Sequence, residues 1–551
     1  MDRPARRVPP LRQECLVQVA EDLAESGMKL VADIIGGACA SGGTLVDVPL
    51  ANVISNSTAR APAGHHSRVL QECRAPCPTE MSDRSAHLRW RGLGSSAALS
   101  ARDGRSILLV AARIAGIALA VAAGNTPGGS MAAELSVAPP SCLELGLVAC
   151  PQPFDRELPP ARDMLSWDQA HRVIGFRNSY RLYRGDVFHA NGAAAQELPP
   201  AATPLPAIHY LMDGTTFTLE DYLEHQSVTG LLILKNGRIL YEHYGHGNTD
   251  RTLWTSRSVA KSVVSVLVGM AIREGLIRSL DASVIEYVPE LRGSAWTDVH
   301  IRQLLQHTSG VAWNEEYGDP RSDFATLTRC EAAAQPYPCI MRLLKSLHRR
   351  PGIAPGAAWS YNTAGAWLLG LVLERAAHTT LAHFLETRLW SRVPMEADGV
   401  WQALVPGKVD MGGHGFNATL RDWGRFALFV ENGGHLPNGQ VLVPDDWLTQ
   451  SVTWTKARGS VTPSSPDGQF GYQWWYSGVD VNRPDPEGAN DTARETFWAL
   501  GLYGQAIAID RAQHLVLVQW SVWEHAESPP SLYDEQVLFF GAVARAVREA
   551  R

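Results

Sequence analysis

Two apolar hairpins, far apart in the chain, most constrain how it can fold. In the first, Gly230-Leu231-Leu232-Ile233-Leu234 runs into Lys235, Asn236-Gly237 turns, and Arg238 to Tyr244 returns. Asn-Gly between apolar runs specifies a two-residue turn, because both central positions need positive φ. In the second, Gln505 to Ile509 pairs with Leu515 to Trp520. A last helix follows from Ser531, capped with Asp534, and carries Val537, Phe540 and Val547 on one side. Thr218 with Asp221 forms a capping box for a short helix running to Gln226 just before the first hairpin. Strands at both ends with helices between them predict an α/β fold: one antiparallel sheet formed by N- and C-terminal segments and flanked by helices. The middle, about 300–430, reads as a mostly helical second lobe, and a groove between sheet and lobe is the natural place for a site.

Composition narrows the partners. With 45% hydrophobic and 19% charged residues the chain can bury a large core. A net charge of -7 over 551 residues gives no electrostatic reason to expect nucleic acid or an acidic membrane. The 17 tryptophans cluster in the C-terminal two thirds, where they are suited to line an apolar cleft. No motif calls for a cofactor. His65, His66, Cys73 and Cys77 match no common zinc spacing, so no metal is expected.

The first 150 residues read as a poorly structured extension, and 151–551 as the folded domain, clear from Thr218 onward. The extension has one short helix-like stretch, Gln18 to Ile35, and a region rich in Ser, Arg, Ala and Gly over 50–105. Residues 107–123 are apolar apart from Arg113. Three readings stay open for this segment. It is a signal-peptide core ending at Ala120-Val121-Ala122, which needs an internal start such as Met81; a membrane anchor interrupted by Arg113; or a helix of no consequence. Localisation is therefore cytoplasmic, or periplasmic if this segment acts as a signal. Leu147-Val148-Ala149-Cys150 resembles a lipoprotein cleavage box, but Glu144 and two prolines break the apolar core that should precede it. The N-terminal part is also consistent with an overextended reading frame. Cys330 and Cys339 flank a Pro-containing stretch and can bridge in an exported protein; otherwise they are two thiols.

Chemistry concentrates at Ser258-Val259-Ala260-Lys261. A serine hydroxyl is a weak nucleophile until a base takes its proton. A lysine three residues on lies on the same helix face. The run that follows, from Val263 to Ile272, is apolar on most sides, so the helix belongs in a core. A buried lysine loses the solvation that favours its charged form, and its pKa falls toward that of a usable base.

Three downstream segments supply partners or distractors. Tyr361 precedes an apolar helix over Ala366 to Leu373 and is suited to protonate a leaving group if Lys261 lowers its pKa. Gly501-Leu502-Tyr503-Gly504 leads into a strand, where a free N–H of Leu502 can join that of Ser258 in an oxyanion hole. His307-Thr308-Ser309-Gly310 offers a tempting base and nucleophile. It lacks an acid or lysine at helical spacing and reads as a helix end with a glycine turn.

Taken together, Ser258 to Lys261, Leu304 to Gly310, Tyr361-Asn362 and Gly501 to Gln505 resemble the serine β-lactamase-related family of the class C type. Within it the likeness is to the 6-aminohexanoate-dimer hydrolases and related amidases and esterases. Glu315 to Pro320 resembles a loop of that subgroup whose tyrosine closes over an amide substrate. Met395 to Asp398, Gly412-Gly413 with Arg421-Asp422, and Tyr472 to Trp475 add to the match, which covers roughly 165–551. The resemblance implies a serine hydrolase working through an acyl-enzyme on small amides or esters. Ser258 would be the nucleophile, Lys261 its base and Tyr361 the proton donor. The N–H groups of Ser258 and Leu502 would hold the oxyanion, and Tyr317, His414 and Gly501 would line the substrate. Relatives that take β-lactams carry Lys-Thr-Gly or His-x-Gly where this chain has Ala499-Leu500-Gly501, which argues against β-lactams and D-alanyl peptides. The tyrosine motif reads Tyr361-Asn362-Thr363 in place of Tyr-x-Asn. Two alternatives stand: a D-alanyl carboxypeptidase or β-lactamase, and a catalytically idle binding module of the same fold. Oligomeric state is not legible.

Overall fold

The computed structural model describes residues 142, 144–191, 195–436, 438–453, 470–476, 496–527 and 530–549. The segment 107–123, the stretch Gln18 to Ile35 and the His65, His66, Cys73, Cys77 group lie outside them. Among the described residues no helix is long and apolar enough to cross a membrane.

The two hairpins meet in one six-stranded antiparallel sheet. Its order from one edge is Trp475–Tyr476, Thr496–Gly501, Gln505–Asp510, Leu515–Ser521, Val228–Lys235 and Arg238–Tyr244. Asn236 and Gly237 take φ of 51° and 71°, as a two-residue hairpin turn requires. The hairpins join along the Leu515–Ser521 and Val228–Lys235 strands, with Leu515 opposite Lys235 and Leu517 opposite Ile233. Val228–Lys235 is buried along its whole length. Leu232 and Leu234 face the main core, while Leu231 and Ile233 face the C-terminal helix Pro530–Glu549 through Phe539, Phe540 and Val543. Burial on both faces explains a continuous apolar run where a half-exposed strand would alternate.

The central helix, Val259–Arg273, is rich in valine, a modest helix former. It holds because nearly every side chain is buried against the sheet and the helix Thr363–Ala377. It ends in a Schellman turn. The Leu276 N–H donates to Ala271 O at 2.9 Å, the Gly275 N–H donates to Ile272 O at 3.0 Å, and Gly275 has φ of 75°.

The middle region is built mainly of helices, among them Ile301–Leu305, Asp323–Glu331, Pro336–Ser346, Thr363–Ala377 and Leu420–Glu431. It also contains strands that the sequence did not reveal. Gly399–Val405 and Phe416–Ala418 form a small antiparallel sheet with Gly185–Phe188 and Trp254–Thr255, and Val409–Asp410 pairs off Gly399–Val405. These strands are short, and most of their partners are distant in sequence, so no hairpin signal marks them. Among the described residues there are two disulfides, Cys142–Cys150 and Cys330–Cys339. Cys150, the last residue of the lipoprotein-like box, is thus bridged. Leu147 of the same loop packs with Tyr180, Leu253 and Val400.

Candidate functional site

The small sheet aims Ser258. Thr255 pairs with Asn417, and the Ser256 N–H donates to Phe416 O at 2.8 Å. Arg257 then adopts a left-handed φ of 46°, uncommon for a long side chain, and turns the chain sharply. Ser258 follows as the N-cap of Val259–Arg273. One turn on, the Lys261 ammonium nitrogen Nζ lies 2.8 Å from Ser258 Oγ and donates to Gly413 O, also at 2.8 Å. That carbonyl reaches the lysine because Gly412 and Gly370 let the turn lie on the helix Thr363–Ala377. A Cβ on Gly412 would stand 2.8 Å from Ala366 O and from Gly370 Cα.

Lys261 is 2% exposed. Burial pulls its pKa down to about 8, and the carboxylates of Glu315 and Glu331 pull part of the way back. Tyr361 sits beside it, its ring centroid 5.1 Å from Lys261 Nζ. The expectation that Lys261 would lower the phenol pKa is not met. Desolvation and the nearby Glu315 charge push it well above the ordinary value, while a hydrogen bond with Ser258 acts weakly the other way. Tyr361 therefore stays a neutral phenol at ordinary pH.

An aromatic wall fixes that phenol. Trp475 stacks on Tyr361 with centroids 5.8 Å apart, and the His307 ring lies 4.6 Å away. His307 is buried with no hydrogen-bond partner on either ring nitrogen, and desolvation holds its pKa well below the usual histidine value. It is an uncharged packing surface for Tyr361. Ser309 Oγ accepts from the Val311 N–H at 3.2 Å inside the Gly310 turn. His307 and Ser309 serve the helix end and turn, as the sequence indicates.

Asn362, next to Tyr361, is the N-cap of the following helix. Its Oδ1 accepts from the Gly365 N–H at 2.8 Å and caps Thr363–Ala377. Tyr317 donates its hydroxyl to Glu315 at 2.9 Å and packs edge-on against Phe324. His414 Nε2 lies 3.0 Å from Glu331 Oε1, directly after the carbonyl that holds Lys261. Gly501 packs on the residues preceding Ser258, since a Cβ there would lie 2.7 Å from Ser256 O; this brings Leu502 alongside.

Glu315 was not singled out from the sequence. It is buried, accepts from the Thr363 N–H at 3.0 Å, and also accepts from Thr363 Oγ1, Trp313 Nε1 and Tyr317. It thereby sets an anionic field at Lys261 and Tyr361 from the start of the following helix. Nothing local in Glu315 to Pro320 reveals a carboxylate that lands on a helix N-terminus far downstream. Among the described residues no group of three or more His, Cys, Asp or Glu side chains gathers as metal ligands would.

A family model described as Beta-lactamase matches residues 218–537, more than half of the chain. The chain belongs to the β-lactamase family. It is a hydrolase of the serine β-lactamase type, with the matching antiparallel sheet and helices. It is 27% identical over 350 residues to the 6-aminohexanoate-dimer hydrolase of Paenarthrobacter ureafaciens, covering 60% of this chain and 82% of that protein. It is 26% identical over 268 residues to a β-lactamase of Yersinia enterocolitica, covering 44% of this chain and 63% of that one. A solved Bacillus anthracis structure, provisionally named as a 6-aminohexanoate-dimer hydrolase, superposes with a TM-score of 0.60 at 19% identity. It covers 71% of this chain and 99% of its own, a likeness of fold.

Proposed function

We propose that this hydrolase cleaves small amides or esters through a covalent acyl-enzyme. Residues 151–551 would be its catalytic domain. The observation that carries the reading is the 2.8 Å approach of a buried amine, with a pKa near 8, to Ser258 Oγ. Neutral Lys261 takes the Ser258 proton as Oγ bonds to the substrate carbonyl carbon. The N–H groups of Ser258, at the positive end of its helix, and of Leu502 receive the oxyanion. Tyr361 gives its proton to the leaving nitrogen or oxygen as the scissile bond breaks, and Lys261 reprotonates the phenolate. Water then attacks the acyl carbon, losing its proton to Lys261 with the help of Tyr361. Ser258 regains a proton as the acid departs. Tyr317, His414 and Gly501 are proposed as substrate-side groups.

The relation to the Paenarthrobacter 6-aminohexanoate-dimer hydrolase supports amides, and Ala499-Leu500-Gly501 lacks the cation expected of a β-lactam site. A fluorophosphonate probe tests the mechanism. Labelling should vanish in Ser258→Ala and persist in Ser309→Ala; no labelling of folded wild-type protein would favour the idle module. Turnover of a chromogenic cephalosporin as fast as that of a nitrophenyl ester would favour the β-lactamase reading.

A further inference from the structure

Gln505 opens the strand Gln505–Asp510 and is fully buried. A buried amide is costly unless its polar atoms find partners. Here both ends are fully engaged. Nε2 donates to Ser521 O at 2.7 Å and to Leu502 O and Tyr503 O, both at 3.2 Å. Oε1 accepts from Trp254 Nε1 at 2.8 Å and from the Ser521 N–H at 3.3 Å. Carbonyls at one end and N–H donors at the other fix which way the amide points.

These partners belong to the two segments that carry the oxyanion donors. Leu502 supplies one N–H, and its own carbonyl is held by Gln505. Trp254 lies on the short strand before Ser258, where it pairs with Ala418 in the sheet that aims the nucleophile. Both segments also turn through a left-handed residue that is not glycine: Tyr503 has φ of 62° and Arg257 φ of 46°. Such a conformation persists only where the surroundings hold it. Phe176 adds to that hold. Its ring meets those of Trp254 and Tyr503 with centroids 5.8 Å and 5.5 Å away, and the Arg257 guanidinium lies over it at 4.2 Å. An amide and an aromatic ring therefore join the same two segments.

We infer that Gln505 is a positioning residue for catalysis, whose amide sets the spacing of the Ser258 and Leu502 N–H groups in the oxyanion hole. This rests on the acyl-enzyme reading above and deepens it. Gln505 acts through the backbone and needs no contact with substrate. Its effect falls on the transition state, because charge gathers on the carbonyl oxygen only as Ser258 Oγ bonds to the carbon.

A transition-state mimic separates this role from that of a plain core residue. Ser258 Oγ adds to the carbonyl carbon of 1,1,1-trifluoro-2-octanone, the π pair becomes an oxyanion, and the Ser258 proton passes to Lys261. With 2-octanone, addition is slight. Fluorophosphonate labelling to completion counts the working sites, so each constant is taken per site. In Gln505→Met, kcat/KM for nitrophenyl butyrate should fall about 10–100-fold and Ki for the trifluoroketone rise by a similar factor, with Ki for 2-octanone within about twofold of wild type. Trp254→Phe removes one bond to Oε1 and should move the first two constants about fivefold in the same sense. It decides the matter if Gln505→Met does not fold. Fewer labelled sites with unchanged constants per site, or a loss shared equally by the two ketones, overturns the inference and leaves Gln505 a core residue. Wild type that hydrolyses no ester and takes no label refutes the acyl-enzyme reading itself, and this inference with it.

Discussion

Replacing Lys261 with methionine separates what the buried amine contributes to catalysis from what it does to stability. In the unfolded chain the amine titrates at its ordinary 10.5; in the fold it titrates at about 8. Between these values the unfolded state holds the proton and the folded state does not, so stability rises with pH across this window. At pH 7 the folded state carries a buried ammonium. Two and a half pKa units correspond to about 3 kcal/mol of destabilisation there, falling to under about 1 kcal/mol at pH 10. The bonds from Nζ to Ser258 Oγ and Gly413 O are lost in the variant at either pH and cancel in the comparison. Urea unfolding of wild type and Lys261→Met at both pH values is the assay. The wild type should gain about 2.5 kcal/mol on the variant between pH 7 and pH 10. A difference that stays constant with pH, or moves the other way, refutes the assignment of a neutralised buried lysine. The same burial raises the free-base fraction at pH 7 from about 0.03% to about 10%, so ester hydrolysis should all but disappear in the variant.

The pH profile of ester hydrolysis should rise with a midpoint near 8. Since the Glu315 carboxylate holds the Lys261 pKa up, Glu315→Gln should move that midpoint down; an unmoved or raised midpoint contradicts the coupling. Tyr361→Phe should lower kcat by about 10²–10⁴-fold, the ordinary weight of a positioned acid, with the slower rate checked by single-turnover kinetics. The neutral phenol predicts no second limb in the wild-type profile until well above pH 10. The Cys330–Cys339 bridge closes a short loop beside Glu331, so Cys330→Ala with Cys339→Ala should lose about 2–3 kcal/mol in urea unfolding. Intact mass of the denatured wild type before and after reduction should differ by two hydrogens for each bridge.

Much of this protein follows from patterns a few residues long. The Asn236-Gly237 turn, the paired apolar strands and the Thr218 cap act locally, through backbone sterics and side-chain hydrogen bonds, so each was legible where it stands. The spacing of Ser258 and Lys261 was legible for the same reason, because one helical turn sets their approach. What only the tertiary structure decided depends on groups brought together from distant segments. The small sheet that aims Ser258 draws strands from both sides of the main hairpin. The Tyr361 pKa goes up and not down, because a carboxylate from the 315 loop and the wall of His307 and Trp475 surround the phenol. Gln505 became a tie between the Leu502 turn and the strand before Ser258 only when Trp254 and Ser521 met its amide. Charge, burial and hydrogen-bond partners are properties of an environment, and no segment of this chain carries its environment with it.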